Sequence, residues 1–208
     1  MKRNKLWARL ITFALVTGSS AFVSHLASND TDTTGYSDSE PISLTELASA
    51  KMVTSADSQI QLTIPSAWQD VSDQYSVAPS SLVVESANGH VNVNITSFAK
   101  ADAPQFTSDL AAQVALDIGM GPLQDATILE QDVSTTLNGY PAVMHRVEGN
   151  LLGLSMVTTA YAIETPNYYH GAIAIMPAES FELNQAEIDE VMQSFDVSET
   201  TAFEPEIN

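Results

Sequence analysis

The stretch Leu82-Val-Val-Glu-Ser-Ala-Asn-Gly-His-Val-Asn-Val-Asn-Ile-Thr-Ser-Phe98 decides the fold. Two runs rich in strand formers, Leu82–Ser86 and His90–Phe98, flank Asn88-Gly89. Asn-Gly readily adopts the left-handed backbone of a tight hairpin turn. In the second run Val91, Val93 and Ile95 alternate with His90, Asn92 and Asn94. Such alternation buries one face and wets the other, as in an antiparallel sheet.

Upstream, Lys51–Thr54, a turn over Ser55–Ser58 and Gln59–Ile64 read as a further hairpin, with Ile60, Leu62 and Ile64 on one side. Pro65 ends it, having no N–H to donate. Downstream, Thr107 or Ser108 caps a helix through about Ile118, with Leu110, Ala111, Val114 and Ile118 as its apolar stripe and Gly119 at its end. Strands are expected at Thr127–Ser134, Tyr140–Glu148, Leu154–Ile163 and Tyr168–Met176, the first two joined at Asn138-Gly139. A closing helix is read from Asn184 as cap and Glu187 as its capping-box partner, with Ile188, Val191, Met192 and Phe195 facing inward. Hairpins interrupted by one helix and closed by another argue for an α+β fold.

The chain has 208 residues, 26 acidic and 7 basic side chains and no cysteine, for a net charge of −19. Lys2, Arg3, Lys5 and Arg9 hold four of the basic charges, so without that start three cations face 26 acids, a net charge of −23. A body so short of cations is expected to bind neither nucleic acid nor an anionic membrane surface, since both need a basic face. Self-repulsion favours a soluble monomer, and a salt-rich habitat is a natural setting for such charge. Without cysteine there is no disulfide, thiol nucleophile or lipid-bearing cysteine.

Residues 1–27 combine a basic start, an apolar run from Leu10 to Gly18 and the small residues Ser19 and Ala21 at −3 and −1 of a cleavage site. This reads as a secretory signal. The rival reading is a membrane anchor, because Leu10–Leu26 reaches the lower limit of a span. Either places the body outside the cytoplasm, periplasmic or extracellular. Residues 28–50 read as an acidic linker with a short helix over Leu44–Ala50, residues 51–197 as the folded domain and 198–208 as an acidic tail.

The order of elements carries a resemblance. A first hairpin ending in Ile64-Pro-Ser-Ala-Trp68, a second hairpin, a helix, a strand pair joined through Leu137-Asn-Gly-Tyr-Pro-Ala142, further strands and a last helix ending Gln193-Ser-Phe195 resemble the PsbP/DcrB-like superfamily over about residues 51–197. The resemblance implies an α/β/α sandwich around an antiparallel sheet, used by exported accessory proteins of the bacterial cell envelope as a binding module. It implies no cofactor and no catalysis. Trp68 is expected to be structural, plugging the sheet edge.

Catalytic motifs are weak. Ser97-Phe-Ala-Lys100 spells the Ser-x-x-Lys of penicillin-recognising enzymes but ends a strand, and no Ser-Asp-Asn or Lys-Thr-Gly follows. Gly153-Leu-Ser-Met-Val157 lacks the second glycine of a nucleophile elbow. Asp30-Thr-Asp-Thr-Thr-Gly35 opens like a calcium loop, but Pro41 stands where the bidentate acid belongs.

Three functions follow. The favoured one is engagement of a protein partner through the sheet face or through Tyr161, Tyr168, Tyr169 and His170, since Tyr suits surfaces both apolar and wet. The second is divalent-cation binding (Ca, Zn or Mn), with His90 and His170 converging on one exposed sheet surface. The third is a hydrolase with a dispersed catalytic set built on His145, which requires that histidine in a cleft beside an acid and a nucleophile.

Overall fold

The computed structural model describes residues 50–75 and 81–198. The calcium-loop pattern lies outside them, as does the short helix over Leu44–Ala50 except for Ala50, which is not helical. Ten strands and two helices follow in order. They are β1 (Lys51–Thr54), β2 (Ile60–Ile64), β3 (Gln69–Asp70), β4 (Ser81–Glu85), β5 (Asn92–Ala99), α1 (Ser108–Met120), β6 (Gln124–Leu137), β7 (Tyr140–Leu151), β8 (Leu154–Glu164), β9 (Tyr168–Pro177), α2 (Phe181–Gln193) and β10 (Asp196–Val197). Seven strands form one antiparallel sheet in the order β3-β4-β5-β9-β8-β7-β6, and β1-β2-β10 form a second.

Strand alternation divides the core. On β8, Tyr161 and Ile163 join Trp68, Ile60, Leu62, Ile188, Met192 and Phe195, so α2 and the small sheet cover that face. Ala160 and Ala162 point the other way, toward Ala111, Ala112 and Ala115 of α1. One helix therefore covers each face, giving the α+β class expected from the pattern of hairpins and the sandwich that the resemblance implies. The α1 contact is made of small side chains, and a Cβ on Gly119 would stand 3.3 Å from the Ala160 Cβ.

Three local expectations change. Helix α1 continues through Gly119 to Met120, and its buried stripe is Ala111, Ala112, Ala115, Leu116 and Gly119, leaving Leu110 43% exposed. Ala111, Ala112, Ala115 and Gly119 lie against the alanine-lined part of the sheet and Leu116 packs with Val147, Met156 and Ile175, so the buried stripe passes Leu110 by. Thr107 is the cap, its side chain accepting from the Leu110 N–H at 3.2 Å. Helix α2 begins at Phe181, so Asn184 lies inside it and donates to the Ser180 carbonyl at 2.8 Å instead of capping. Glu187, assigned to a capping box, instead accepts from Trp68 Nε1 at 2.9 Å. A tertiary donor thus takes the carboxylate that the local pattern gave to the helix terminus.

The β6–β7 turn is built by Asn138 at φ 48° and Gly139 at φ 85°. Edge strand β6 carries three register shifts, with Asp125 and Asp132 at positive φ. Such bulges hinder pairing with a further strand. Gly149 on β7 allows the β6 entry to lie close, since an added Cβ would stand 2.8 Å from Leu123 Cβ and 2.9 Å from the Gln124 carbonyl oxygen. Gly149→Ala is expected to cost about 1–3 kcal/mol by overpacking, read from urea unfolding.

Candidate functional site

Strands β5 and β9 pair with Ser97 opposite His170, and β8 pairs with Ile163 opposite His170. That register aims His170 into the α2 side of the sheet, where the ring meets Phe195 edge-on at 5.1 Å. Its Nδ1 lies 2.7 Å from Ser97 Oγ and its Nε2 lies 3.0 Å from Thr165 Oγ1. Thr165 Oγ1 donates to the Tyr168 carbonyl at 3.2 Å, so it accepts from Nε2–H, leaving Nδ1 to accept from Ser97. Burial, reinforced by the Lys100 charge, holds the imidazole well below its ordinary value, at about 3.

A serine donating to an imidazole is the polarity of a nucleophile and its base. Here it supplies neither. Ser97 is 6% exposed, His170 1% and Thr165 3%, so no substrate carbonyl reaches the hydroxyl. An imidazole whose conjugate acid forms near pH 3 is also a poor proton acceptor at neutral pH. The arrangement is a closed clamp joining β5, β9 and the β8–β9 turn.

A cleft of about 360 Å³ opens beyond the clamp, lined by Gln59, Lys100, Thr165, Asn167, Tyr168 and Ser198 among others. Lys100, the second half of the Ser-x-x-Lys spelling, donates to Glu164 Oε1 at 2.7 Å and lies over the Tyr169 ring at 4.8 Å. Ser108 donates to the other Glu164 oxygen. The Lys100 bond, and after it the Ser108 bond, hold the Glu164 carboxyl below the usual range.

The tyrosines proposed as one partner surface are divided by alternation. Tyr161 is buried on the α2 side, where burial first, and the Asp189 charge second, push its phenol upward. Tyr169 is buried on the α1 side, edge-on to Phe106 at 5.3 Å. Only half-buried Tyr168 reaches the cleft. The tyrosine cluster is thereby corrected to one accessible member, and His170 belongs to the clamp.

The His90–His170 metal pair is corrected as well. His90 is exposed at the β4–β5 turn, whereas His170 is buried opposite Ser97, seven residues further along that strand. At ~3.3 Å per residue the two are roughly 20 Å apart. Among the described residues no group of three or more His, Asp or Glu could hold a metal ion. His145 is not the base of a dispersed hydrolase. It is 0% exposed, it pairs with Ala160 across the sheet, and its Nδ1 accepts from the Asp132 N–H at 3.2 Å. The bulged edge strand, not a cleft, receives it.

The Ser97–His170 contact was invisible in one dimension, since the residues are 73 apart and meet only through the β5–β9 register. The local signal was Thr165-Pro-Asn167, the turn that brings β9 back beside its neighbours.

A seven-stranded antiparallel sheet with one helix on each face, a closed hydroxyl–imidazole clamp and an open end cleft defines an α+β sandwich. It is the PsbP/Mog1/DcrB-like fold. No protein-family model matches the chain, and no curated protein matches it in sequence. Solved structures do. The Saccharomyces cerevisiae Ran-binding protein Mog1p is similar at 14% identity over 72% of this chain and 95% of its own, with TM-score 0.50. LpqN, involved in cell envelope biogenesis of Mycobacterium tuberculosis, is 12% identical over 72% and 90% with TM-score 0.48. Cyanobacterial PsbP from Synechocystis is 11% identical over 80% and 99% with TM-score 0.48. The chain spans 49% of the length of a similar Bacteroides thetaiotaomicron protein. Among the described residues no helix is long and apolar enough to cross a membrane.

Proposed function

We propose that this protein is an exported, non-enzymatic binding module of the bacterial cell envelope that engages a protein partner at the Tyr168 cleft. One contrast carries the reading: the Ser97–His170–Thr165 constellation is sealed and neutral, whereas the cleft beside it is open and lined by apolar side chains such as Pro166 and Val197 together with amide, hydroxyl, phenol and ammonium groups. Groups of that kind orient a partner without reacting with it. The Ran-binding activity of the yeast neighbour supports protein recognition as a use of this fold. The N-terminal basic and apolar segment supports export.

The test compares the full-length chain with its Tyr168→Asp variant. Envelope extract is expected to yield a specific protein complex with the former and at least roughly tenfold less with the latter, as for a central aromatic contact. Turnover of ester or amide substrates by the purified chain, lost on Ser97→Ala, would overturn the reading.

A further inference from the structure

The β7–β8 hairpin turns through Leu152 at φ 53° and Gly153 at φ 92°. The other non-glycine residues with positive φ among those described are Ser58, Asp125, Asp132 and Asn138, all short and polar. That is the chemistry the left-handed region favours, because a small polar side chain bonds locally and limits the clash with the backbone. Leucine gains nothing there. The β6–β7 turn shows the ordinary solution, Asn138-Gly139, in the same sheet. Leu152 nonetheless occupies a strained position with its side chain 68% exposed, and Leu154 beyond the turn is 49% exposed. Asn150 holds the turn in shape, its Oδ1 accepting from the Gly153 N–H at 2.7 Å. A conformational cost and an exposed apolar side chain at one residue point to a use outside the folded chain.

The surroundings select the occupant. Ser155, next to Leu154, donates to Glu148 at 3.1 Å, and Asp125 sits on β6 beside Gln124, which pairs with Asn150 near the turn. The nearest cation along β7 is Arg146, paired with Glu130 and stacked on Phe181. Lys100 lies near the opposite end of β8, beside Glu164. An apolar tip with an acidic rim complements an apolar pocket rimmed by Lys or Arg and is repelled by an anionic bilayer. We propose that the Leu152–Leu154 tip is a second docking point, inserted into an apolar, cation-rimmed pocket of a protein partner. This surface is independent of the Tyr168 cleft, from which the 11-residue length of β8 separates it.

A fluorescein-labelled amphipathic helical peptide containing only leucine and lysine serves as probe, titrated by anisotropy into the full-length chain. Binding is expected, weakened by salt, and weakened roughly tenfold or more in the Leu152→Asn/Leu154→Ser variant, as when central apolar anchors are removed. Met52→Ser, which alters a side chain 67% exposed on the other sheet, is expected to leave it unchanged. Leu152→Asn is also expected to raise the melting temperature, so lost binding is not lost folding. Equal affinity of wild type and double variant would overturn the proposal, as would indifference to 0.5 M salt. So would tip-dependent binding to phosphatidylcholine/phosphatidylglycerol vesicles without tip-dependent peptide binding. Failure of the Tyr168→Asp test would leave these outcomes untouched.

Discussion

Trp68→Ala is expected to destabilise the domain by about 3–5 kcal/mol, the range for deleting a fully buried large aromatic side chain. Trp68 is 1% exposed among Ile60, Leu62, Ile64, Val191 and Phe195, where α2 and the small sheet meet the large one. Its position is set by Pro65, whose carbonyl accepts from the Trp68 N–H at 3.0 Å, and by Glu187, which accepts from the indole N–H at 2.9 Å. Trp68→Phe separates the two contributions. It retains most of the ring volume and loses the charge-assisted bond, so a smaller loss, about 1.5–3 kcal/mol, is expected. Urea unfolding of the three proteins checks the order. A Trp68→Ala loss under about 1 kcal/mol would mean that the site collapses around the cavity, contrary to the packing described.

The second large effect is acid sensitivity seated at His170. Unfolded, this histidine takes up a proton near pH 6.5; folded, it does so only near pH 3. Between those values the unfolded chain binds the extra proton, so falling pH favours unfolding. The stability that the neutral imidazole preserves is complete above about pH 6.5 and is lost as pH approaches 3. About 3 kcal/mol of that loss is expected by pH 4, and about 5 kcal/mol once both states are protonated. Burial is the main cause and Lys100 the lesser one. His170→Gln has no proton to take up. Its unfolding free energy is expected to change less between pH 7 and pH 4 than that of the parent by about 3 kcal/mol, whatever its starting stability. Parallel pH dependences would place the acid sensitivity elsewhere.

The hairpins and the α+β class were legible in the sequence because β-strand alternation and Asn-Gly turns are local: Val91, Val93 and Ile95 point inward as read, and Asn138-Gly139 makes its turn. Helix positions were legible and their faces less so. Leu110 looks like a core residue by periodicity, but the stripe that meets the sheet runs through Ala111, Ala112, Ala115, Leu116 and Gly119, which Ala160 and Ala162 face in part. Glu187 carried a local capping signal that a tryptophan 119 residues away outcompetes.

The candidate site was the least legible part. Tyr161, Tyr168 and Tyr169 are close in sequence, yet strand alternation sends Tyr169 to one face and Tyr161 to the other, leaving Tyr168 at the cleft. By itself the sequence determined the strand-rich fold and the acidic character of the body, because both follow from residue type and short-range spacing. Tertiary structure alone decided that Ser97 meets His170, that His145 is sealed under an edge bulge and that Leu152 stands exposed in a left-handed turn. The first two depend on register and burial between residues whose separation along the chain carries no local signal, and the third on the β7–β8 register, which pairs Leu151 with Leu154 and leaves Leu152 and Gly153 to make the turn.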